Sequence, residues 1–185
     1  GKVAHGVWLF LANSFSAEVL ARQGFDWICI DMQHGFTDYQ TGVTMLQAIS
    51  TTATVPFVRV PWNEPGIIGR VLDAGAMGVI IPMVNSAQDA RQAVAACRYH
   101  PEGMRSYGPV RAAYYAGSDY FEGANREVAC IPMIETKEAV EHLDEILSVP
   151  GIDAVYVGPS DLSITLGLSP AAGFSETFQE VKLRI

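Results

Sequence analysis

The sequence is poor in lysine, and its few lysines lie outside the apolar runs. Among 185 residues there are three: Lys2 at the N-terminal end, Lys137 just after an apolar run, and Lys182 near the C-terminal end. A Schiff-base mechanism needs a lysine amine held beside the substrate carbonyl. Because no lysine lies within a predicted strand, the sequence argues against a Schiff-base lyase.

Other absences exclude further classes of protein. The apolar runs are interrupted by Gly, Pro and Asp, so none reaches the ~20 residues of a membrane span, and we expect no membrane partner. The net charge is −8 and the basic residues are scattered, which argues against a nucleic-acid partner. No signal peptide is visible, and the three cysteines form no C-x-x-C pair, so we expect a cytoplasmic protein.

What the chain does contain is a repeated alternation of apolar runs and helical patterns. Short, nearly continuous apolar runs are typical of parallel strands buried on both faces. We predict strands over residues 7–11, 27–31, 56–60, 78–82, 128–134 and 154–158. We predict helices over residues 16–22, 39–50, 65–74, 87–96 and 137–147.

This alternation predicts an α/β fold with a parallel sheet, either open and doubly wound or closed into a barrel. The first turn, residues 11–15, has no G-x-G-x-x-G phosphate loop, and polar residues follow several strands, which favours a barrel. Six βα units are present where a (β/α)8 barrel has eight. We therefore predict one domain over residues 1–185 that lacks the last units, with residues 174–185 beginning a further helix and residues 97–126 forming a long lid or interface loop.

Charged residues stand at the ends of several predicted strands. Glu135 ends the fifth strand and Asp161 follows the sixth, so a barrel places their carboxylates side by side. Two close carboxylates repel each other unless a proton or a cation lies between them. Without nearby Cys or His ligands, the pair favours Mg²⁺ or Mn²⁺ over zinc. The alternative is that both residues merely cap the helices that follow them.

Two further residues are candidates for chemistry at the same end of the barrel. His34 follows the second strand and could act as a general base, although it could also be a loop histidine that only packs. Arg59 lies in the third strand, where arginine is rarely buried without an anion. That anion is either a substrate oxygen or the carboxylate of Asp31. The other histidines, His5 and His100 among them, are in weaker positions.

These residues fall in stretches that resemble one family over nearly the whole chain. The chain resembles the HpcH/HpaI aldolases, metal-dependent pyruvate aldolases that cleave 4-hydroxy-2-oxo acids. The resemblance rests on residues 25–34, on VRVP at 58–61, on YHPEGMR at 99–105, on IET at 134–136 and on VGPSDL at 157–162. It implies a (β/α)8 TIM barrel of the phosphoenolpyruvate/pyruvate type, with about six of the eight βα units in this chain.

The resemblance also implies a role for each matching residue. Glu135 and Asp161 would bind a divalent cation (Mg²⁺, Mn²⁺ or Co²⁺). His34, oriented by Asp73, would be the base, and Arg59 would stabilise the enolate oxygen. The further implied positions are the substrate-binding segment Gly158, Pro159, Ser160 and Asp161, whose last two N–H groups would hold the pyruvate carboxylate, and the supporting residues Asp31 and Trp8. Met133 departs from the family pattern, which often has Gln there.

The implied reaction is a reversible aldol cleavage that yields pyruvate, or a related 2-oxo acid, and an aldehyde. Two other functions stay open. An acyl-CoA lyase of the citrate lyase β-subunit or malyl-CoA lyase kind would need a basic path for the CoA phosphates, for which Arg98, Arg105 and Arg111 could be recruited. A non-catalytic oligomeric scaffold is the second. The family also implies a homo-oligomer, a hexamer or a trimer.

Overall fold

The computed structural model describes residues 2–170 and 175–185, without the side chains of residues 176 and 177. Its centre is a sheet of six parallel strands in the order β1-β2-β3-β4-β5-β6. The strands are β1 Gly6–Leu9, β2 Trp27–Asp31, β3 Val55–Arg59, β4 Gly78–Ile81, β5 Ala129–Ile134 and β6 Tyr156–Val157. The sequential strand order is that of a barrel wall, because a doubly wound sheet reverses its order at a switch point.

Helices return the chain from the end of each strand to the start of the next. They are α1 Ser14–Ala21, α2 Tyr39–Ile49, α3 Pro65–Asp73, α4 Ala87–Cys97, α5 Val110–Ala116, α6 Tyr120–Glu127, α7 Lys137–Glu141, α8 Leu143–Leu147, α9 Pro159–Thr165 and α10 Glu176–Arg184. Polar side chains fix several of their starts: Asn13, Asp38, Ser86 and Thr136 each accept a hydrogen bond from a backbone N–H of the first turn.

The predicted order of strands and helices is confirmed, with differences at the boundaries. Residues 137–147 form α7 and α8, separated at His142, instead of one helix. The long connection between α4 and β5 contains the two short helices α5 and α6. Strand β6 spans Tyr156–Val157 and is shorter than predicted, because β5 pairs with it through Met133 and Ile134 alone.

The two faces of the sheet pack against different partners. One face lies against the helices and carries most of the apolar core, including Ile28 and Ile30 of β2. The other face forms the barrel interior, where Cys29, Ile80 and Ile131 pack together. The sheet curls into a half-barrel, so that the ring of Trp8 on β1 lies 4.9 Å from the ring of Tyr156 on β6.

No helix within the described part of the chain is long and apolar enough to span a membrane.

The packing between sheet and helices predicts a large cost for a cavity at Ile30, which is fully buried. We expect Ile30→Ala to lower the free energy of unfolding by about 2–5 kcal/mol, because the buried methyl groups are lost and the site collapses incompletely. Val3→Ala is the control: Val3 is 79% exposed, so its change should stay within about 0.5 kcal/mol. Urea denaturation followed by circular dichroism measures both, and equal effects would contradict this packing.

Candidate active site

A cavity of about 410 Å³ opens at the carboxyl ends of the strands. In a (β/α) barrel this face collects the loops that follow the strands, so residues distant in sequence meet there. The cavity is lined by Trp8, Phe10, His34, Arg59, Met133, Glu135, Tyr156, Gly158, Pro159, Ser160 and Asp161. The structure therefore brings both predicted metal-binding carboxylates, the predicted base and the predicted arginine to one cavity.

Glu135, at the end of β5, is held by a backbone donor in the turn that follows the neighbouring strand β4. The N–H of Met83 donates to Glu135 Oε1 at 2.7 Å, and the Glu135 residue is 3% exposed. Met83 has a φ of 56°, a left-handed conformation that is uncommon for a residue with a side chain. Such strain persists only where the surroundings impose it and is frequent at functional sites. The strained turn after β4 thus fixes the orientation of the carboxylate.

The surroundings of Glu135 disfavour its negative charge. Burial raises the pKa of the Glu135 carboxyl, and the nearby carboxylate of Asp161 raises it further, whereas the Met83 N–H, Arg59 and His34 oppose the shift. The net direction is upward. A cation between Glu135 and Asp161 would remove this penalty, because it favours the ionised form of both groups.

The space beside Glu135 suits a small cation. Gly158 faces it, and a Cβ at that position would lie 2.7 Å from Glu135 Oε2, the oxygen that Met83 leaves free. The described residues contain no cluster of three or more His, Cys, Asp or Glu side chains that could form a complete cage. Two carboxylates with open positions fit a hard divalent cation that completes its shell with water and ligand oxygens. The donor set therefore fits the implied metal.

Arg59 is paired with Asp31, which was one of the two partners left open by the sequence. Arg59 Nε donates to Asp31 Oδ1 at 2.9 Å and Nη2 donates to Oδ2 at 2.6 Å. Asp31 is fully buried, and the hydrogen bonds from Arg59 and from the backbone N–H groups of His34 and Gln33 lower the pKa of its carboxyl despite its burial. This bidentate pair fixes the guanidinium over the ring of Trp8, 5.0 Å from its centroid.

His34 lies on the loop after β2 with its side chain exposed at the cavity mouth. Its backbone N–H donates to Asp31 Oδ1 at 3.2 Å, so the buried Asp31–Arg59 pair also anchors this loop. The imidazole has no hydrogen-bond partner within residues 2–170 and 175–185. It is therefore available to a ligand.

The expected pairing of His34 with Asp73 does not form within the chain. Asp73 ends α3, whose following loop lies at the start of the strands, where the Met77 N–H donates to Pro56 O at 2.8 Å. The cavity with His34 is at the opposite ends of those strands. Asp73 instead binds Arg105, with 2.8 Å between Oδ1 and Nη2. The two residues are apart within one chain because a helix that returns the chain in a barrel carries its last residue to the edge of the sheet opposite the cavity.

The arginines considered for CoA phosphates are already engaged by the fold. Arg98 binds Asp153 and the carbonyl oxygens of Val128 and Gly151. Arg105 is buried between Asp73 and the Tyr120 hydroxyl, and Arg111 donates to Ala74 O, Leu46 O and Ser50 Oγ. None of these side chains lines the cavity with Glu135. They stabilise the fold away from this cavity and provide no path for phosphates to it.

Three lining or supporting residues were not predicted from the sequence: Met83, Phe10 and Tyr156. Met83 acts through its backbone N–H, for which no side-chain signal exists. Phe10 follows β1 and lines the mouth of the cavity. Tyr156 could have been found, because it lies two residues before Gly158, and residues two apart in extended backbone lie on the same face.

Known proteins match this chain over most of its length. The family model described as HpcH/HpaI aldolase/citrate lyase matches residues 4–184. A 4-hydroxy-2-oxo-heptane-1,7-dioate aldolase of Salmonella dublin is 46% identical over 172 residues, which are 91% of this chain and 65% of that protein. The chain thus spans about 65% of the length of the curated relatives that it matches.

Solved structures agree with this assignment. An HpcH/HpaI aldolase/citrate lyase family protein from Burkholderia cenocepacia J2315 superposes with a TM-score of 0.92 and 35% identity, covering 99% of this chain and 74% of that one. An HpcH/HpaI aldolase from Desulfitobacterium hafniense DCB-2 superposes with a TM-score of 0.91 and 29% identity, covering 99% of this chain and 72% of that one. The fold is therefore a partial (β/α)8 barrel of the kind these proteins have.

The raised pKa of Glu135 predicts how the metal-free fold responds to pH. The folded state binds this proton more tightly than the unfolded chain, so this contribution to stability declines as the pH rises above the ordinary glutamate range. Glu135→Gln removes this contribution, because an amide side chain does not titrate. We expect the melting temperature of the wild type, relative to that of the variant, to fall in EDTA as the pH rises above the ordinary glutamate range. Thermal melts across this range measure the difference, and one that grows with pH would contradict the assignment.

Proposed function

Because the chain belongs to the HpcH/HpaI aldolase/citrate lyase family, we propose that it is an aldehyde-lyase that cleaves a 4-hydroxy-2-oxo acid reversibly into pyruvate, or a related 2-oxo acid, and an aldehyde. The observation that carries the proposal is the meeting of Glu135, Asp161, Arg59 and His34 at one cavity. Two carboxylates beside an arginine and an unpartnered histidine are the groups that a metal-dependent aldol cleavage requires.

We propose Glu135 and Asp161 as the ligands of a divalent cation, Mg²⁺, Mn²⁺ or Co²⁺. Their support is the raised pKa of Glu135, the free Oε2 oxygen and the room that Gly158 leaves beside it. When bound, such a cation polarises the 2-oxo group and stabilises negative charge on its oxygen. The scarcity of lysine supports the same choice, because no strand carries an amine for a Schiff base.

The remaining steps are proposed for the chain's own side chains. His34 accepts the proton of the 4-hydroxyl group while the C3–C4 bond breaks, which releases the aldehyde and leaves the enolate of the 2-oxo acid. Arg59 has an Nη1 group that Asp31 does not occupy, and this group would donate to the developing enolate oxygen. The backbone N–H groups of Ser160 and Asp161, in the first turn of α9, receive no side-chain cap and would bind the substrate carboxylate.

Asp31 and Trp8 support the site without a direct chemical role in this proposal. Asp31 holds Arg59 and the loop that carries His34, and Trp8 lies under the guanidinium. For Asp73 the geometry leaves one route to His34, through a second copy of the chain. The homo-oligomer, a hexamer or a trimer, and the His34–Asp73 dyad are therefore linked proposals.

The alternatives have less support. An acyl-CoA lyase would need a basic path for phosphates, and Arg98, Arg105 and Arg111 are bound elsewhere in the fold. A non-catalytic scaffold does not account for an unpartnered imidazole and a buried glutamate, oriented by the strained Met83, at one cavity. For the compartment we propose the cytoplasm, since the three cysteines are free thiols and buried.

Removal of metal tests the proposed function directly. We expect purified protein to release pyruvate from a 4-hydroxy-2-oxo acid without added CoA, to lose this activity in EDTA, and to regain it with Mn²⁺, Co²⁺ or Mg²⁺. A coupled lactate dehydrogenase assay measures the pyruvate. Full activity in EDTA would refute the metal assignment, and strict dependence on a CoA thioester would favour the acyl-CoA lyase.

Replacement of His34 tests the proposed base. His34→Ala should lower kcat by about 10²–10⁴-fold, because proton transfer then falls to water, while the affinity for Mn²⁺ stays unchanged. His5→Ala is the matched control, since His5 lies before β1 and outside the cavity. Steady-state kinetics and calorimetric Mn²⁺ titration provide the two readouts. Unchanged kcat in His34→Ala would contradict the role.

A further inference from the structure

Tyr156 lines the same cavity, and the proposed steps leave its hydroxyl group unused. It belongs to β6 and lies opposite Met133 of β5 in the sheet register, one layer below Glu135 and Gly158. Within the described ranges its hydroxyl has no hydrogen-bond partner. Unlike the indole nitrogen of Trp8, it is also not sealed inside the protein. A half-buried hydroxyl of this kind is satisfied by water or by a ligand.

The position of the Tyr156 ring is fixed on two sides. Its centroid lies 4.9 Å from that of Trp8, with the ring planes inclined by 41°, and Met133 is its neighbour across the ladder. Trp8 in turn lies under the guanidinium of Arg59. A hydroxyl on a ring held in this way is preorganised, so it loses little entropy when it binds a ligand oxygen.

The electrostatic surroundings make this hydroxyl a donor. Burial raises the pKa of the Tyr156 phenol, and the Arg59 charge opposes that shift while Asp31 and Glu135 add to it. The phenol is therefore protonated at neutral pH. Met133 offers only a thioether, a weak acceptor, on the neighbouring strand. The described part of the chain supplies no acceptor for this proton.

Arg59 alone does not attract an anionic ligand oxygen strongly. Its Nε and Nη2 groups are bound to Asp31, whose carboxylate also compensates its charge. The pair is close to neutral as a unit, so the arginine attracts an anionic oxygen less strongly than a free guanidinium would. A second hydrogen-bond donor in the same cavity would restore part of the attraction for an anionic oxygen.

We propose that Tyr156 contacts the bound 2-oxo acid and that its hydroxyl donates a hydrogen bond to an oxygen of the 2-oxo acid half. The inference rests on the proposed function, because it takes the ligand class from it. Tyr156 would then recognise the half of the substrate common to cleavage and condensation, whichever aldehyde is used. No bond is formed or broken by Tyr156 itself.

The test removes the hydroxyl and keeps the ring. With Tyr156→Phe we expect kcat/KM for cleavage to fall by about tenfold to a hundredfold, as for the loss of one donor to a charged oxygen. The affinity for oxalate, a mimic of the pyruvate enolate, should fall by a similar factor in the Mn²⁺-loaded protein. The Mn²⁺ affinity and the melting temperature should not change. Tyr114→Phe, in the exposed part of α5, is the matched control and should leave all four values unaltered.

Each outcome supports or contradicts the proposed contact between Tyr156 and the 2-oxo acid. Unchanged kinetics and unchanged oxalate affinity would overturn the inference and leave the proposed function intact. Losses that come with a lower melting temperature and weaker Mn²⁺ binding would overturn it in favour of a packing role. If the wild type cleaves no 4-hydroxy-2-oxo acid, the proposed function fails, and the oxalate titration still decides: weaker binding to Tyr156→Phe supports the contact, and equal or absent binding refutes it.

Discussion

The repulsion between two carboxylates at adjacent strand ends is the constraint on which the site depends. Glu135 is buried, and its environment, including the nearby Asp161, raises the pKa of its carboxyl. The backbone N–H of the strained residue Met83 nevertheless holds this carboxylate in place. A buried and unpaired charge is costly, and the proposed cation would offset that cost for both groups. The missing side chain at Gly158, where a Cβ would lie 2.7 Å from Glu135 Oε2, and the scarcity of lysine support the same proposal.

A second electrostatic unit lies deeper in the barrel and organises the rest of the cavity. The Asp31–Arg59 pair joins β2 to β3, anchors the loop of His34 through its backbone N–H, and rests on Trp8. Trp8 also contacts Tyr156 across the open side of the half-barrel. Arg59 thus has a structural partner and still has its Nη1 group left for a ligand. This division explains why a further hydroxyl, that of Tyr156, would be useful at the same depth.

The barrel class and most of the cavity could be predicted because both follow from short-range patterns. Apolar runs mark buried parallel strands, and a charged residue such as Glu135 or Asp161 at the end of a run stands at the catalytic face. The boundaries were less predictable, since β6 is limited by pairing with two residues of β5. The role of Met83 could not be predicted from the sequence, because it depends on a backbone N–H and not on the side chain. The resemblance implied a His34–Asp73 pairing without saying which chain provides Asp73, and within one chain Asp73 binds Arg105 instead.

The central claim is that Glu135 and Asp161 together bind a divalent cation, and a crystal grown with Mn²⁺ tests it most directly. Anomalous scattering at the manganese edge should show one strong peak between Glu135 Oε2 and the Asp161 carboxylate, with remaining ligands from water or added oxalate. Mn²⁺–O distances of about 2.1–2.2 Å are expected for such hard oxygen ligands. The absence of a peak at this position under saturating Mn²⁺, or a peak coordinated by other residues, would contradict the account.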